Sequence, residues 1–447
     1  MRHLLLSALL AGASLQAADT MKEWFAEGSF KGNIKYYYID TEKVNPGVDT
    51  SAHANAIGGK LHYETGELTG LKTGLTFMTT NGFALTNSVD TSILARDNGV
   101  RLENSASGAV AQDSFSVLGE AYLQYSYDDV TAAYGRRVVK TPLIDAKEVR
   151  MLPSAVQGAF AEYAMPYGTT LGLSYLTHFK QRTSDRFINI VAHALGANTE
   201  AVTGSSDQDV IVASARYNKD AFSVALYDYY ATDFLNAFYA DAAYKGKLDN
   251  GIGFGAAFQL ISETSVGNAD ENLDQVGSLT GGKKIRANAI AAKADASYGE
   301  SGLSVALSKV FGDSSYHDAL VLPWDGTPLY TNSITSNNLF QSNYGKGLNS
   351  DSIYIGDSLG AKVAYTQGYG FAGLKGLKTT LSYLVTENDD FADTQRDLNA
   401  VIAYSVDNFS IALKGIWVRN NTAADATGTI SQTDRLTQYR VIANYAF

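Results

Sequence analysis

The charged residues between positions 136 and 150 are the part of this sequence best suited to chemistry. We single out four basic candidates and two acidic ones: Arg136, Arg137, Lys140, Arg150, Asp145 and Glu148. The planar guanidinium of arginine can donate to both oxygens of a carboxylate, so this set suits recognition of an anionic solute. The two acids could set up a transverse field with the basic residues, or they could be local partners that hold the segment folded. The sequence leaves both interpretations open.

The sequence contains little that indicates catalysis or metal binding. The chain has no cysteine and no G-x-S-x-G nucleophile motif. Its six histidines do not lie at metal-ligand spacings: His3, His53, His62, His178, His193 and His317. No acidic segment matches a calcium loop, although calcium binding by the acidic loops stays open. We therefore expect no catalytic residue, no metal site and no cofactor.

Composition limits the class of protein further. After the N-terminus, none of the 447 residues lies in an apolar run approaching the ~20 residues that a spanning helix needs. The formal charge of −11 argues against nucleic acid as a partner. The 28 tyrosines suit a membrane–water boundary, because the ring is apolar and the hydroxyl polar.

The N-terminus has the pattern of an export signal. Arg2 and His3 form a short basic start, residues 4–10 are apolar, and small residues precede a cut near Ala17 or Ala18. We predict a signal peptide over residues 1–17 and one barrel domain over residues 18–447.

Eighteen candidate strands with period-two alternation follow between position 29 and the end. In the last of them, Tyr439, Val441, Ala443, Tyr445 and Phe447 share one face. Short Gly, Asn and Asp turns alternate with long links at 40–54, 80–114, 141–157, 181–208, 263–284, 312–355 and 421–434. Three links depart from this alternation: 230–234 and 388–395 are short where a long link is predicted, and 367–376 is long where a short turn is predicted. Short turns on one side and long loops on the other are typical of an outer-membrane barrel.

Eighteen apolar stripes could not fill one interior, so they should face lipid while the polar positions line a wet lumen. The predicted fold class is all-β, a transmembrane antiparallel β-barrel of about 18 strands with long extracellular loops. The basic positions predicted to face the lumen are Lys35, Lys60, Arg137, Lys180, Arg216, Lys293, Lys362, Lys414 and Arg440. The inward acids are fewer, chiefly Glu64, Glu120 and Asp295.

Three stretches resemble the OprD-like family of outer-membrane porins. They are GRRVVKTPLIDAKEVRMLPSAVQG at 135–158, AIGGKLHYET at 56–65 and AYTQGYGFAGLKGLKTTLSYLV at 364–385. The first is similar to the family's third-loop segment, which folds into the pore. The resemblance implies an inward-folded constriction loop, a ladder of basic side chains and uptake of small, often carboxylate-bearing solutes. The six residues named first would then border the constriction. The terminal Phe447 also resembles the signal read by the barrel-assembly machinery.

From this we expect a porin of the cell outer membrane that gives passive diffusion of small hydrophilic solutes. A basic lumen in an acidic chain favours anionic or carboxylate-bearing solutes. The alternatives are a general, weakly selective trimeric porin and, with less support, a barrel-type hydrolase. The expected partners are outer-membrane lipid, lipopolysaccharide and the solutes, with monomer or homotrimer left open. In the longest loop, Trp324, Leu329 and Tyr330 could pack into the mouth or belong to an exposed loop.

Overall fold

The computed structural model describes residues 20–45, 48–82, 114–146, 149–275, 284–312, 318–334, 353–388, 394–421 and 433–447. Nineteen strands lie in these residues: β1 (Ser29–Asn45), β2 (Val48–Glu64), β3 (Leu71–Gly82), β4 (Phe115–Tyr127), β5 (Val130–Arg137), β6 (Ala155–Met165), β7 (Thr169–Lys180), β8 (Ile188–Asn189), β9 (Val210–Lys219), β10 (Phe222–Ala231), β11 (Leu235–Lys247), β12 (Gly253–Ser265), β13 (Arg286–Tyr298), β14 (Ser301–Phe311), β15 (Leu359–Tyr369), β16 (Leu374–Glu387), β17 (Gln395–Val406), β18 (Phe409–Asn421) and β19 (Thr433–Ala446).

The helices in the same residues are short. The α-helices are α1 (Met21–Ala26), α2 (Ile190–Leu195), α3 (Thr199–Thr203) and α4 (Asn268–Asn272). Single 3₁₀ turns occur at Pro166–Gly168, Gly196–Asn198, Leu273–Gln275 and Gly370–Ala372. Within the described ranges, no helix is long and apolar enough to cross a membrane.

The strands form one closed antiparallel sheet. β1 pairs with β2 on one side and with β19 on the other, so the first and last strands close the barrel. At this seam the Phe447 N–H donates to the Gly32 carbonyl at 2.9 Å, and the Gly32 N–H donates to the Phe447 carbonyl at 2.8 Å. β7 pairs with β9 directly, while β8 adds only two residues to the end of β7. The predicted eighteen-stranded barrel is confirmed, with one short extra strand.

The alternation of side chains places the large apolar ones on the outer wall. On β19, Tyr439 and Tyr445 are exposed, as is Phe447 just after the strand, while Gln438 and Arg440, on either side of Tyr439, are buried on the inner face. On β4 and β5, Leu123 and Tyr134 lie outside in the same way. Exposed aromatic and aliphatic side chains in this arrangement suit contact with lipid.

Two of the predicted links are wrong in length. The sequence predicts a long link over residues 40–54. Instead β1 and β2 stay paired up to Asn45 opposite Val48, so the hairpin extends well beyond the predicted strand ends. The predicted long link at 367–376 shortens to residues 370–373, because β15 continues to Tyr369 and one 3₁₀ turn leads into β16.

Three loops fold against one another inside the barrel. Ile144 from the segment after β5, Val191 from α2 and Trp324 from the β14–β15 connection all belong to one buried apolar cluster. The same cluster includes inward wall residues such as Ala289 and Ala291. The Trp324 indole N–H donates to the Ile190 carbonyl at 3.0 Å. Trp324 and Leu329 therefore pack into the barrel and do not form an exposed loop.

Candidate pore constriction

A cavity of about 610 Å³ lies in the half of the lumen near the short turns; we call it the vestibule. Its lining residues are Lys31, Gly32, Asn33, Lys35, Lys60, His62, Thr76, Glu120, Val138, Ser410, Ile442 and Asn444. Lys31 and Lys35 alternate with Asn33 along the inner face of β1, and Lys60 and His62 are their cross-strand neighbours on β2. The strand register therefore stacks three lysines and one histidine on one wall.

The carboxylate of Glu120 is occupied by neighbouring groups of the protein. The Thr76 hydroxyl donates to Glu120 Oε2 at 2.6 Å, and the backbone N–H of Val138 donates to Oε1 at 2.9 Å. His62 Nδ1 lies 3.9 Å from Oε2 and 2.7 Å from the Thr76 hydroxyl. Glu120 thus fixes the start of the inward loop at Val138. It is the one acidic side chain in the vestibule lining, so the wall is basic in balance.

Residues 138–146 follow the short strand β5, and residues 149–154 contact β1. Lys35 Nζ donates to the Arg150 carbonyl at 2.7 Å, and the Tyr37 hydroxyl donates to the Val149 carbonyl at 2.9 Å. Met151 then packs in a buried cluster with Tyr37 and Met78. A buried lysine and an apolar cluster therefore hold the far end of this loop against the β1–β3 wall.

Three arginines lie together where this loop meets the wall; we call them the guanidinium cluster. They are Arg150 of the loop, Arg182 just after β7 and Arg440 of β19. Burial, followed by the positive charges of Arg182 and Arg440, lowers the pKa of Arg150 to about 9, so it stays protonated at neutral pH. Arg440 is 3 % exposed and its Nε donates to Gln438 at 2.7 Å, while its Nη1 has no hydrogen-bond partner among the described residues.

Asp325 connects the inward loops; we call its contacts the inner latch. The Asp325 carboxylate accepts hydrogen bonds from Arg182 and from the Ser154 hydroxyl. Backbone hydrogen bonds continue the connection, from the Gly326 N–H to the Leu143 carbonyl at 3.1 Å. Asp325 is 2 % exposed, and a buried ion pair of this kind needs its full set of hydrogen bonds to be stable.

The structure gives contacts for five of the six residues first singled out. Arg137 stacks its guanidinium over Tyr122, 4.7 Å from the ring centre, and Arg136 lies 4.3 Å from the ring centre of Phe187. Lys140 is exposed, and its backbone pairs with that of half-buried Asp145 in a small bridge. Arg150 joins the guanidinium cluster. Glu148 lies outside the described residues.

Of the predicted lumen lysines, Lys180 serves the fold. It is completely buried, and its Nζ donates to the carbonyls of Pro153, Gln181 and Ser184 at 3.1, 3.0 and 3.3 Å. It therefore ties the end of the inward loop to the start of the next loop and does not reach solvent.

Other predicted lumen positions also have partners. Arg216 pairs with Glu162, and Lys293 lies 3.2 Å from Asp295 and 5.3 Å from the ring centre of Tyr330. Lys362 donates to the Asn332 carbonyl at 2.6 Å. Lys414 is the direct cross-strand neighbour of Arg440. The basic wall of the pore is thus formed by β1, β2, β18 and β19.

Sequence reasoning missed Arg182 and the role of Asp325. Both lie in connections without periodicity, so no pattern placed them in the lumen. His62 had a usable signal, because it shares the inner face of β2 with Lys60.

Comparison with known proteins agrees with this architecture. A sequence model described as outer membrane porin, OprD family, matches residues 22–447. No curated protein sequence matches the chain. Among solved structures, OccAB1 of Acinetobacter baumannii has a TM-score of 0.72 at 15% identity and covers 97% of this chain and 98% of its own.

Two further structures are similar. A BenF-like porin from Pseudomonas fluorescens Pf-5 has a TM-score of 0.72 at 14% identity, over 95% of this chain and 99% of its own. OpdK of Pseudomonas aeruginosa, solved with vanillate, has a TM-score of 0.68 at 14% identity, over 95% and 99%. At these identities the likeness shows the fold alone. Porins are channels and not enzymes, and the family match spans nearly the whole chain: the protein belongs to the OprD family of outer membrane porins.

Proposed function

We propose that this porin allows passive diffusion of small hydrophilic solutes and prefers those that carry a carboxylate. One observation carries the proposal: a basic vestibule leads to the guanidinium cluster. The vestibule is lined by one acid, Glu120, and by four basic side chains: Lys31, Lys35, Lys60 and His62. Glu120 is already hydrogen-bonded to Thr76 and Val138.

Basic groups that line a narrow passage favour anions, because they lower the electrostatic energy of a negative solute there. Arg440 lies on the inner face of β19, two residues before Ile442, which lines the vestibule. Its Nη1 has no acceptor among the described residues but is buried, so a carboxylate reaches it only when the side chains that cover it move aside. A guanidinium can hold a carboxylate through two parallel hydrogen bonds, a geometry that an ammonium group does not offer. We infer that Arg440 and Arg150 contact the solute, while Arg136, Arg137, Lys140, Asp145 and Glu148 border its path.

The similar OpdK was solved with vanillate, which is a carboxylate. This supports the same class of solute for the present chain. A general, weakly selective porin, trimeric or not, is the alternative, and it would not distinguish a carboxylate from a neutral isostere. We further infer export by a cleaved signal peptide at residues 1–17, assembly through the C-terminal strand, and a monomer or homotrimer.

The test compares two blockers of similar shape, benzoate and benzamide, in single-channel recordings. The proposal predicts that benzoate interrupts the current at lower concentration than benzamide. Replacing Arg440 or Arg150 with Gln should weaken the benzoate effect about tenfold or more, because a hydrogen bond to a charged group contributes roughly 1.5–3 kcal/mol. The effect of benzamide should stay the same.

Lys22→Gln is the matched control, because it also removes one positive charge but lies exposed on α1. It should leave both blockers unchanged. Equal effects of benzoate and benzamide on the wild type would overturn the carboxylate preference and favour the general pore.

A further inference from the structure

Three arginines form a row across neighbouring strands near the extracellular end of the barrel. Arg396 on β17 lies directly opposite Arg419 on β18, and Arg419 lies directly opposite Arg435 on β19. We propose that this outer arginine row binds the phosphate groups of a phosphorylated lipid in the outer leaflet of the membrane.

The row faces away from the lumen. All three side chains are exposed, and the residues next to them on each strand, such as Asp397, Val418 and Leu436, are buried on the inner face. Along β17, Ile402 shares the outward face with Arg396, and along β18, Leu413 shares it with Arg419. A solute inside the pore therefore does not reach these guanidinium groups.

The height of the row follows from the direction of the strands. β17 and β18 are joined by a short turn at Asp407, where φ is 46°. Short turns lie at the periplasmic side of such barrels, so the opposite ends of these strands are extracellular. Arg396 is the second residue of β17, and Arg435 is the third of β19. The row thus lies at the outer rim.

Like charges directly opposite each other destabilise a sheet, so this row is unfavourable unless an anion compensates it. No ion pair joins any of the three arginines to an acid in the described ranges of the chain. On the two strands that flank the row, the described residues include the outward acids Glu42 on β1 and Glu387 on β16, each two residues along its strand from a direct neighbour of the row, Val44 or Val385. Neither forms a cross-strand pair with an arginine of the row.

The residues below the row give the lipid its orientation. One step towards the membrane centre, Leu398, Trp417 and Thr437 lie opposite one another on the same face. The rings of Trp417 and Tyr439 meet edge to face, with centres 6.0 Å apart. Tryptophan and tyrosine concentrate at the level of the headgroups. Below them the face is aliphatic, with Ile402, Leu413 and Val441.

This order from rim to centre matches one kind of molecule. Guanidinium groups meet phosphates, aromatic rings meet the polar boundary, and aliphatic side chains meet acyl chains. Neighbouring strands are about 4.8 Å apart, so the three arginines span about 10 Å and can engage more than one phosphate of a headgroup. Free phosphate would gain the charge contacts alone, without the acyl chains that hold a lipid against the wall.

The test measures lipid binding to the purified, folded porin in neutral detergent, by native mass spectrometry and by titration. The probes are a diphosphorylated, acylated glucosamine disaccharide, its dephosphorylated counterpart and inorganic phosphate. We expect the diphosphorylated lipid to bind at least about tenfold tighter than the dephosphorylated one. In the triple variant Arg396→Gln, Arg419→Gln, Arg435→Gln we expect that advantage to disappear.

The matched control is Lys219→Gln, Lys245→Gln, Lys247→Gln, which removes the same charge from exposed residues at the periplasmic end. It should bind the diphosphorylated lipid as the wild type does. The lipid should raise the unfolding temperature of the wild type and leave that of the arginine variant unchanged. In detergent alone the unfolding temperature of the arginine variant should be no lower than that of the wild type, because the substitutions remove the repulsion among the three guanidinium groups.

Three results would overturn the proposal. One is an arginine variant that keeps its preference for the phosphorylated lipid. Another is an equal loss of binding in the lysine control, which would indicate a general charge effect. The third is displacement of the lipid by inorganic phosphate at equal concentration, which would mean that the site holds a free anion.

Discussion

The carboxylate of Asp325 pairs with the guanidinium of Arg182 in the middle of the barrel, across 143 positions of sequence. Asp325 belongs to the β14–β15 connection, and Arg182 follows β7. Because Arg182 also lies close to Arg150, this pair fixes one member of the guanidinium cluster. The negative charge of Asp325 also offsets part of the repulsion among three neighbouring arginines.

Asp325→Asn should therefore change both stability and current. Breaking a buried ion pair by neutralising one partner costs about 3–5 kcal/mol, because the other charge stays buried without compensation. We expect a lower unfolding temperature and larger current fluctuations. We also expect the current to become more anion-selective in the channels that remain folded, because the constriction gains net positive charge.

Asp357→Asn is the control for this prediction. Asp357 pairs with Lys309 where both side chains are about one-third exposed, so the loss should be below about 1 kcal/mol. In addition, the double variant Asp325→Asn, Arg182→Gln should lose less free energy of unfolding than the sum of the losses in the two single variants. Strict additivity, or equal losses at Asp325 and Asp357, would contradict the inner latch.

Lys180→Met should loosen the inward loop without removing a solute contact. The substitution removes the donor from three carbonyl groups, two of them in buried contacts, and each buried unsatisfied polar group costs about 1–3 kcal/mol. We expect faster proteolysis near residues 181–184 and a noisier channel, with the ratio of benzoate to benzamide block unchanged. A selective loss of benzoate block would instead show that Lys180 meets the solute.

Gly32→Ala should impair closure of the barrel. A Cβ atom at Gly32 would lie 2.7 Å from the Phe447 ring and 2.8 Å from the Lys60 carbonyl oxygen, at the seam between the first and last strands. Gly302→Ala is the control, because its Cβ would meet only the Ala296 carbonyl oxygen at 3.9 Å. Electrophoresis with and without heating should show less folded barrel for Gly32→Ala alone. Equal folding of both variants would mean that the seam adapts.

The barrel could be predicted from the sequence because lipid and water impose a period of two on every strand. The inward positions of Lys60 and Arg440 follow from that period alone. The long hairpin at residues 40–54 could not be predicted, because Asp40 and Glu42 are polar on an outer face that extends beyond the apolar layer.

The site was less predictable than the fold. Arg182 and Asp325 meet only after two loops have packed inside the barrel, and no local pattern encodes that contact. The same packing buries Lys180, so a residue on the inner face of a strand became part of the loop anchor. Alternation thus determines the direction of a side chain, while loop packing determines whether a solute can reach it.

The central claim is that the lumen is basic enough to favour anions, and the reversal potential of the wild-type channel tests it most directly. The measurement is made in a planar bilayer with a gradient of potassium chloride, whose two ions have similar mobility in water. The account predicts a reversal potential displaced towards the chloride equilibrium value. A reversal potential displaced towards the potassium value would contradict it.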